Sequence, residues 1–135
     1  MLFTLLLSGL LASPVVAGNS IPVDSVLVQD QVNLDKNLVR WGNPANFDPA
    51  KKALVGTVRT KEVYRMIPAW QLIQKEKVKK GTARHEVLMR EATAVYERAL
   101  GRAAKARNTV LIVEQGGISG YASVADLTGA IIAAI

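Results

Sequence analysis

From Thr60 to Ala106 the chain is rich in helix-forming residues, and two positions inside that stretch decide how it can run: Pro68 and Gly81. Proline has no amide to donate and its ring clashes with the preceding turn, so no helix passes through Pro68 unbroken, although a helix can start there. The spacing therefore predicts a short helix from Thr60, a kink at Ile67-Pro68, and a second helix from Pro68 towards Lys80. Thr60 is read as the cap of the first, with Glu62 at the positive end of its dipole and Val63 and Ile67 on one face. Lys79-Lys80-Gly81-Thr82 then reads as a tip, with a basic last turn, a glycine free to take positive φ and a threonine to cap the next helix. From Ala83 to Ala106 there is no proline and one glycine, Gly101, while Leu88, Ala92, Val95, Ala99 and Ala103 recur every three or four residues. The whole stretch is expected to be a kinked, coiled-coil-like helical hairpin whose small alanines let a partner helix come close.

The flanks read as a small β body. Ala53–Arg59 carries β-branched residues with no breaker except Gly56 and predicts a strand. Asn108 ends the long helix, Thr109–Glu114 is a second strand, Gly116-Gly117 a turn, and Ile118–Ser123 a returning strand. Asp126 can cap a closing helix with Leu127, Ala130, Ile131, Ala134 and Ile135 as its apolar residues. The fold class is thus α+β: a three-stranded antiparallel sheet body, a projecting hairpin and a C-terminal helix, together spanning 53–135. Residues 18–52 read as an N-terminal extension or linker, because Val26, Val28, Val32, Leu34, Leu38 and Val39 are interrupted by polar residues and 41–49 is rich in turn formers. Trp41 and Phe47 either anchor this segment on the core or a neighbouring subunit, or stand at the surface.

The first 17 residues read as a signal peptide. Leu2–Ala12 is apolar apart from Thr4, Ser8 and Gly9, too short to cross a bilayer, and Val15 and Ala17 put small residues where a signal peptidase reads, so cleavage falls at Ala17/Gly18. The first charged side chain is Asp24, which leaves the positive end to the terminal amine. Export out of the cytoplasm follows as the expectation. With no cysteine in 135 residues the chain forms no disulfide and offers no thiol nucleophile.

Other catalytic chemistry is equally sparse. His85 is the sole histidine, which leaves no metal cluster to build. Glu86, Glu91 and Glu97 are spaced by five and six residues and do not share a face. Gly116-Gly117 with Gly120 lacks the Lys-Ser/Thr of a phosphate loop. The reading is a non-enzyme with no cofactor and no metal. The charge pattern says more: the net charge is +6, and Lys75, Lys77, Lys79, Lys80 and Arg84 gather around the tip with Glu76 as the one acid among them. Such a tip can meet acidic partners or an anionic membrane surface, or simply keep the hairpin soluble. No basic stretch is interleaved with stacking aromatics, so no nucleic-acid partner is expected.

The blocks Val55–Tyr64 with Pro68, and Ala103-Ala104-Lys105, Thr109–Glu114, Gly116-Gly117, Tyr121 and Asp126-Leu127-Thr128 before Ile131-Ile132, resemble the Skp/OmpH family of periplasmic chaperones for outer-membrane proteins. The likeness runs over roughly Leu54–Ile135. It implies a homo-oligomer, a trimer, whose arms hold unfolded protein clients without nucleotide, here through an apolar arm face of Trp70, Ile73, Leu88 and Val95 with the basic tip steering acidic clients. The rival reading is a structural or adaptor subunit of an envelope or secretion assembly, with the hairpin as a fixed contact. Arm length speaks for the rival, since helices of about 13 and 24 residues extend only ~20 and ~35 Å.

Overall fold

The computed structural model describes residues 31–135, and in it the strand expected to open the sheet becomes the sheet's centre. The elements are β1 (Asn33–Leu34), β2 (Val39–Trp41), β3 (Val55–Val58), α1 (Thr60–Arg65), α2 (Pro68–Lys75), α3 (Ala83–Ala106), β4 (Leu111–Glu114), β5 (Ile118–Ser119), β6 (Val124–Asp126) and α4 (Thr128–Ala133). The signal segment 1–17 with its cleavage point at Ala17/Gly18, and residues 18–30 of the extension, lie outside the described residues.

All four residues of β3 are buried. It runs parallel to a neighbour on each side: Val55 faces Leu111 on β4 and Val124 on β6, and Thr57 faces Val113 and Asp126. β2 lies antiparallel on the outer edge of β4, which gives the order β2-β4-β3-β6. The three-stranded antiparallel sheet expected from the sequence is therefore corrected to a four-stranded mixed sheet. The connection explains the difference, because three helices separate β3 from β4, and such a crossover returns the chain parallel to the strand it left. Nor does the turn at Gly116, where φ is +92°, fold β4 onto its successor. β5 pairs instead with β1 in a separate two-stranded sheet, and β6 then takes the free edge of β3.

Alternation along the strands divides the core in two. Val58 and Ile112 join Leu100, Ala103, Ala104, Leu127 and Ile131 on the helical side. Val55, Leu111 and Val113 face the other way, against Leu34, Val39, Phe47, Ile118 and Tyr121. Covered faces on both sides account for the unbroken apolar run Leu-Ile-Val in β4.

The reading of 18–52 as a linker is corrected for its second half. Residues 33–52 supply β1, β2 and part of the second core, and their backbone is fixed locally by Asp35, Asn43 and Asp48, whose side chains accept from the amides of Asn37, Ala45 and Ala50 at 2.9, 2.9 and 3.0 Å. Trp41 packs on the helical core, while Phe47 stands edge-on to Tyr121 with ring centroids 5.1 Å apart. Both aromatics are anchors on the core.

The hairpin projects less than expected. Tyr96, Ala99, Leu100, Ala103 and Ala104 are buried in the same cluster as the sheet residues, so the second half of α3 lies on the sheet and only its first half is left to pair with α2. Closure of the sheet depends on Gly56: a Cβ there would stand 2.8 Å from Leu127 Cγ, and its absence lets Leu127 settle on the central strand. Gly56→Val is expected to destabilise the fold by about 1–3 kcal/mol through overpacking, measured by urea denaturation, with Gly129→Ala, whose site is open, as the tolerated control.

Candidate functional site

The hairpin is built by the breakers the sequence exposes, though with different limits. α1 stops at Arg65, Ile67 is extended and α2 starts on Pro68. α2 ends at Lys75, short of the expected Lys80, because Lys77 turns into the left-handed region at φ 50° and the Val78 amide bonds back to the Ile73 carbonyl at 3.1 Å. Gly81, at φ +88°, completes the tip, and Thr82 caps α3 by accepting from the His85 amide at 3.2 Å. Thr60 does not act as a cap. It is the first residue of α1, and its hydroxyl turns to Glu114 instead.

The four apolar residues read as a client-facing stripe do not share a surface. Ile73 and Leu88 are 5% and 7% exposed and hold the hairpin together. Trp70 and Val95 are half-buried on opposite sides of it, and Tyr96, not Val95, continues the buried line of α3. A straight helix drifts relative to a seven-residue repeat, so the step from Leu88 to Val95 leaves the core. The basic residues are placed as expected at the surface of the tip: Lys75, Lys77, Lys79, Lys80 and Arg84 are all exposed. Arg84 is paired with Glu76 at 2.5 Å, whereas among the described residues no carboxylate pairs with the four lysines.

On the Trp70 side a groove follows the hairpin. Near α1 it is a cavity of about 350 Å³ bordered by Lys61, Tyr64, Arg65, Trp70 and Met89. Towards the tip it continues as about 530 Å³ bordered by Trp70, Gln74, Lys77, Lys80, His85 and Met89. Trp70 and Met89 border both. The floor is therefore aromatic and thioether surface, which adapts to varied apolar side chains, and its charged lining among the described residues is wholly cationic: Lys61, Arg65, Lys77 and Lys80. The sequence reading missed Tyr64, Met89, Lys61 and Arg65. Their signal was present, since Lys61 and Arg65 are four apart on α1 and Met89 is four beyond His85 on α3.

The floor is held from beneath by a polar latch. Glu114 on β4 accepts from the Thr60 amide at 3.0 Å, from the Thr60 hydroxyl, and from Arg40 Nε of β2 at 3.0 Å. Thr60 Oγ1 is also 2.6 Å from the Tyr96 hydroxyl. The Tyr96 ring lies 4.9 Å from Tyr64, and Tyr64 meets Trp70 edge-on at 5.7 Å and Thr93 through its hydroxyl at 3.2 Å. Burial pushes the Tyr96 hydroxyl up from its ordinary value, partly offset by the bond to Thr60 and reinforced by the Glu114 charge. For Glu114 burial also acts upward, but the bonds from Thr60 and Arg40 outweigh it and leave the carboxyl below its ordinary value. Asp126 is lowered as well, by the amide and hydroxyl of Thr128 and by Arg59. Among the described residues no three His, Asp or Glu side chains gather to hold a metal ion.

Comparison with family models, with curated proteins and with solved structures finds no match for this chain.

A carboxylate that binds its proton less readily when folded stabilises above its unfolded pKa, and that stability is lost as pH falls through the folded value. Stability is accordingly expected to hold from neutral pH down to the ordinary carboxylate range and to drop below it. Glu114→Gln should cost about 1–3 kcal/mol at neutral pH and flatten that acid slope, as read from urea midpoints across the pH range.

Proposed function

We propose that the protein is a non-enzymatic holder of other polypeptides, exported to the periplasm, that takes apolar segments of unfolded outer-membrane or secreted chains into the groove beside its helical hairpin. One observation carries this reading: an apolar floor of Tyr64, Trp70 and Met89 rimmed by four cations and by no carboxylate among the described residues. Such a surface gains from burying apolar side chains and attracts acidic segments at a distance, without a bond being made or broken. Export is supported by the apolar run Leu2–Ala12 with small residues at Val15 and Ala17, and the holdase role by the resemblance to Skp/OmpH chaperones across Leu54–Ile135. Clients would lie along the hairpin and not inside a cage, since α2 has eight residues and spans ~12 Å.

That same shortness favours the second reading, an adaptor subunit that keeps one native partner in the groove permanently. The two separate in one assay. Purified protein at near-stoichiometric amounts is expected to suppress aggregation of an unfolded β-barrel protein, with Trp70→Ala weakening the effect several-fold. No suppression, together with one tight native partner, would establish the adaptor instead. The free lysines carry a further expectation: changing Lys75, Lys77, Lys79 and Lys80 to Gln should reduce binding to anionic vesicles at low salt and leave little for added salt to screen. Binding unchanged by these replacements removes the membrane contact.

A further inference from the structure

The side of the hairpin opposite the groove holds a second hollow, of about 490 Å³, with Pro68 and Leu72 of α2 on one bank and Glu91, Ala94, Val95 and Arg98 of α3 on the other. Leu72 is two residues from Trp70, and Glu91 two from Met89; at 3.6 residues per turn each step carries the side chain to the far side of its helix. The α3 residues are spaced three, one and three apart and so form a single face. Leu72 is 39% exposed, Glu91, Ala94 and Arg98 are exposed, and Val95 is half-buried. Neither Glu91 nor Arg98 has an ion-pair partner among the described residues.

From this face we infer that the hairpin docks a second copy of the same chain about a two-fold axis near Ala94 and Val95, with the two α3 helices antiparallel. The charge pattern selects that occupant. One anion and one cation stand about 10.5 Å apart along the helix, on either side of the Ala94-Val95 pair, so a two-fold rotation sets Glu91 of each copy against Arg98 of the other. Both pairings form at once, as an isologous contact requires. Shape agrees with charge: Leu72, 39% exposed, lies at the edge of the hollow, and the rotation offers each Leu72 the hollow of the second copy, while Ala94 lets the helix axes approach. At long range a chain of net charge +6 repels its own copies. This face, by contrast, sets one anion and one cation on either side of an apolar strip. The contact leaves the Trp70 groove of each copy uncovered and does not depend on what that groove binds. It is a two-fold dimer, in place of the three-fold assembly that the Skp/OmpH resemblance implies.

Sedimentation equilibrium of the purified chain over a range of concentrations tests it, with circular dichroism melts to show that each variant folds. The wild-type chain is expected to dimerise. Glu91→Arg and Arg98→Glu should each weaken the dimer about tenfold or more, because like charges then face each other twice, and the double charge exchange should restore wild-type association. Because both side chains are exposed, folding is expected to survive all three changes, and Leu72→Ser offers an independent loss of association through the knob. A wild-type chain that stays monomeric, a three-fold species, or a double variant no better than the single ones overturns the inference.

Discussion

The fold depends on one four-residue strand that has a neighbour along each edge and a core against each face. β3 can be so enclosed because Gly56 offers no side chain on the helical side, which leaves room for Leu127, and because its other positions are small and β-branched. With both ladders parallel, its amides and carbonyls are engaged on both edges and it presents no free edge to a foreign strand. The elements that build the groove are arranged from this strand: α1 leaves it directly, and α3 leads back to its neighbour.

The link between sheet and groove is carried by Glu114. A carboxylate at the end of β4 gathers β2 through Arg40 and α1 through Thr60, and Thr60 passes the constraint to Tyr96, whose ring supports Tyr64 and through it Trp70. The role proposed for this groove, taking diverse apolar segments, calls for a floor that does not collapse when empty. Aromatic rings in tilted and edge-on contact above a hydrogen-bonded base provide that rigidity, while Met89 supplies the adaptable element.

The local punctuation of the fold was legible in the sequence because it is short-range chemistry. Pro68 breaks and restarts the helix, Thr82 caps α3 and Asn108 turns out of it at φ 56°. Asp126, expected as the cap of the closing helix, instead ends β6 and leaves the cap position to Leu127, although it accepts from the Thr128 amide at 3.0 Å. What could not be read depended on partners far along the chain. Strands of two and three residues, β1 and β2, carry no periodic signal, and the parallel direction of β3 and β4 follows from where three helices deliver the chain. Thr60 looked like a cap until Glu114, 54 residues away, claimed its hydroxyl. The groove was half visible: the lysines and Trp70 announce themselves, whereas Tyr64 and Met89 matter only once α1 and α3 are brought beside α2.

The parallel arrangement also sets an order in time. β3 spans 55–58, but its two partners come from 111–114 and 124–126, and Leu127 must arrive before the Gly56 side is closed. Contacts this distant in sequence form slowly and late. The nascent polypeptide thus passes most of its synthesis without the means to complete its central ladder, and a chain released before residue 124 lacks both the second parallel neighbour of β3 and the side chain that closes over Gly56.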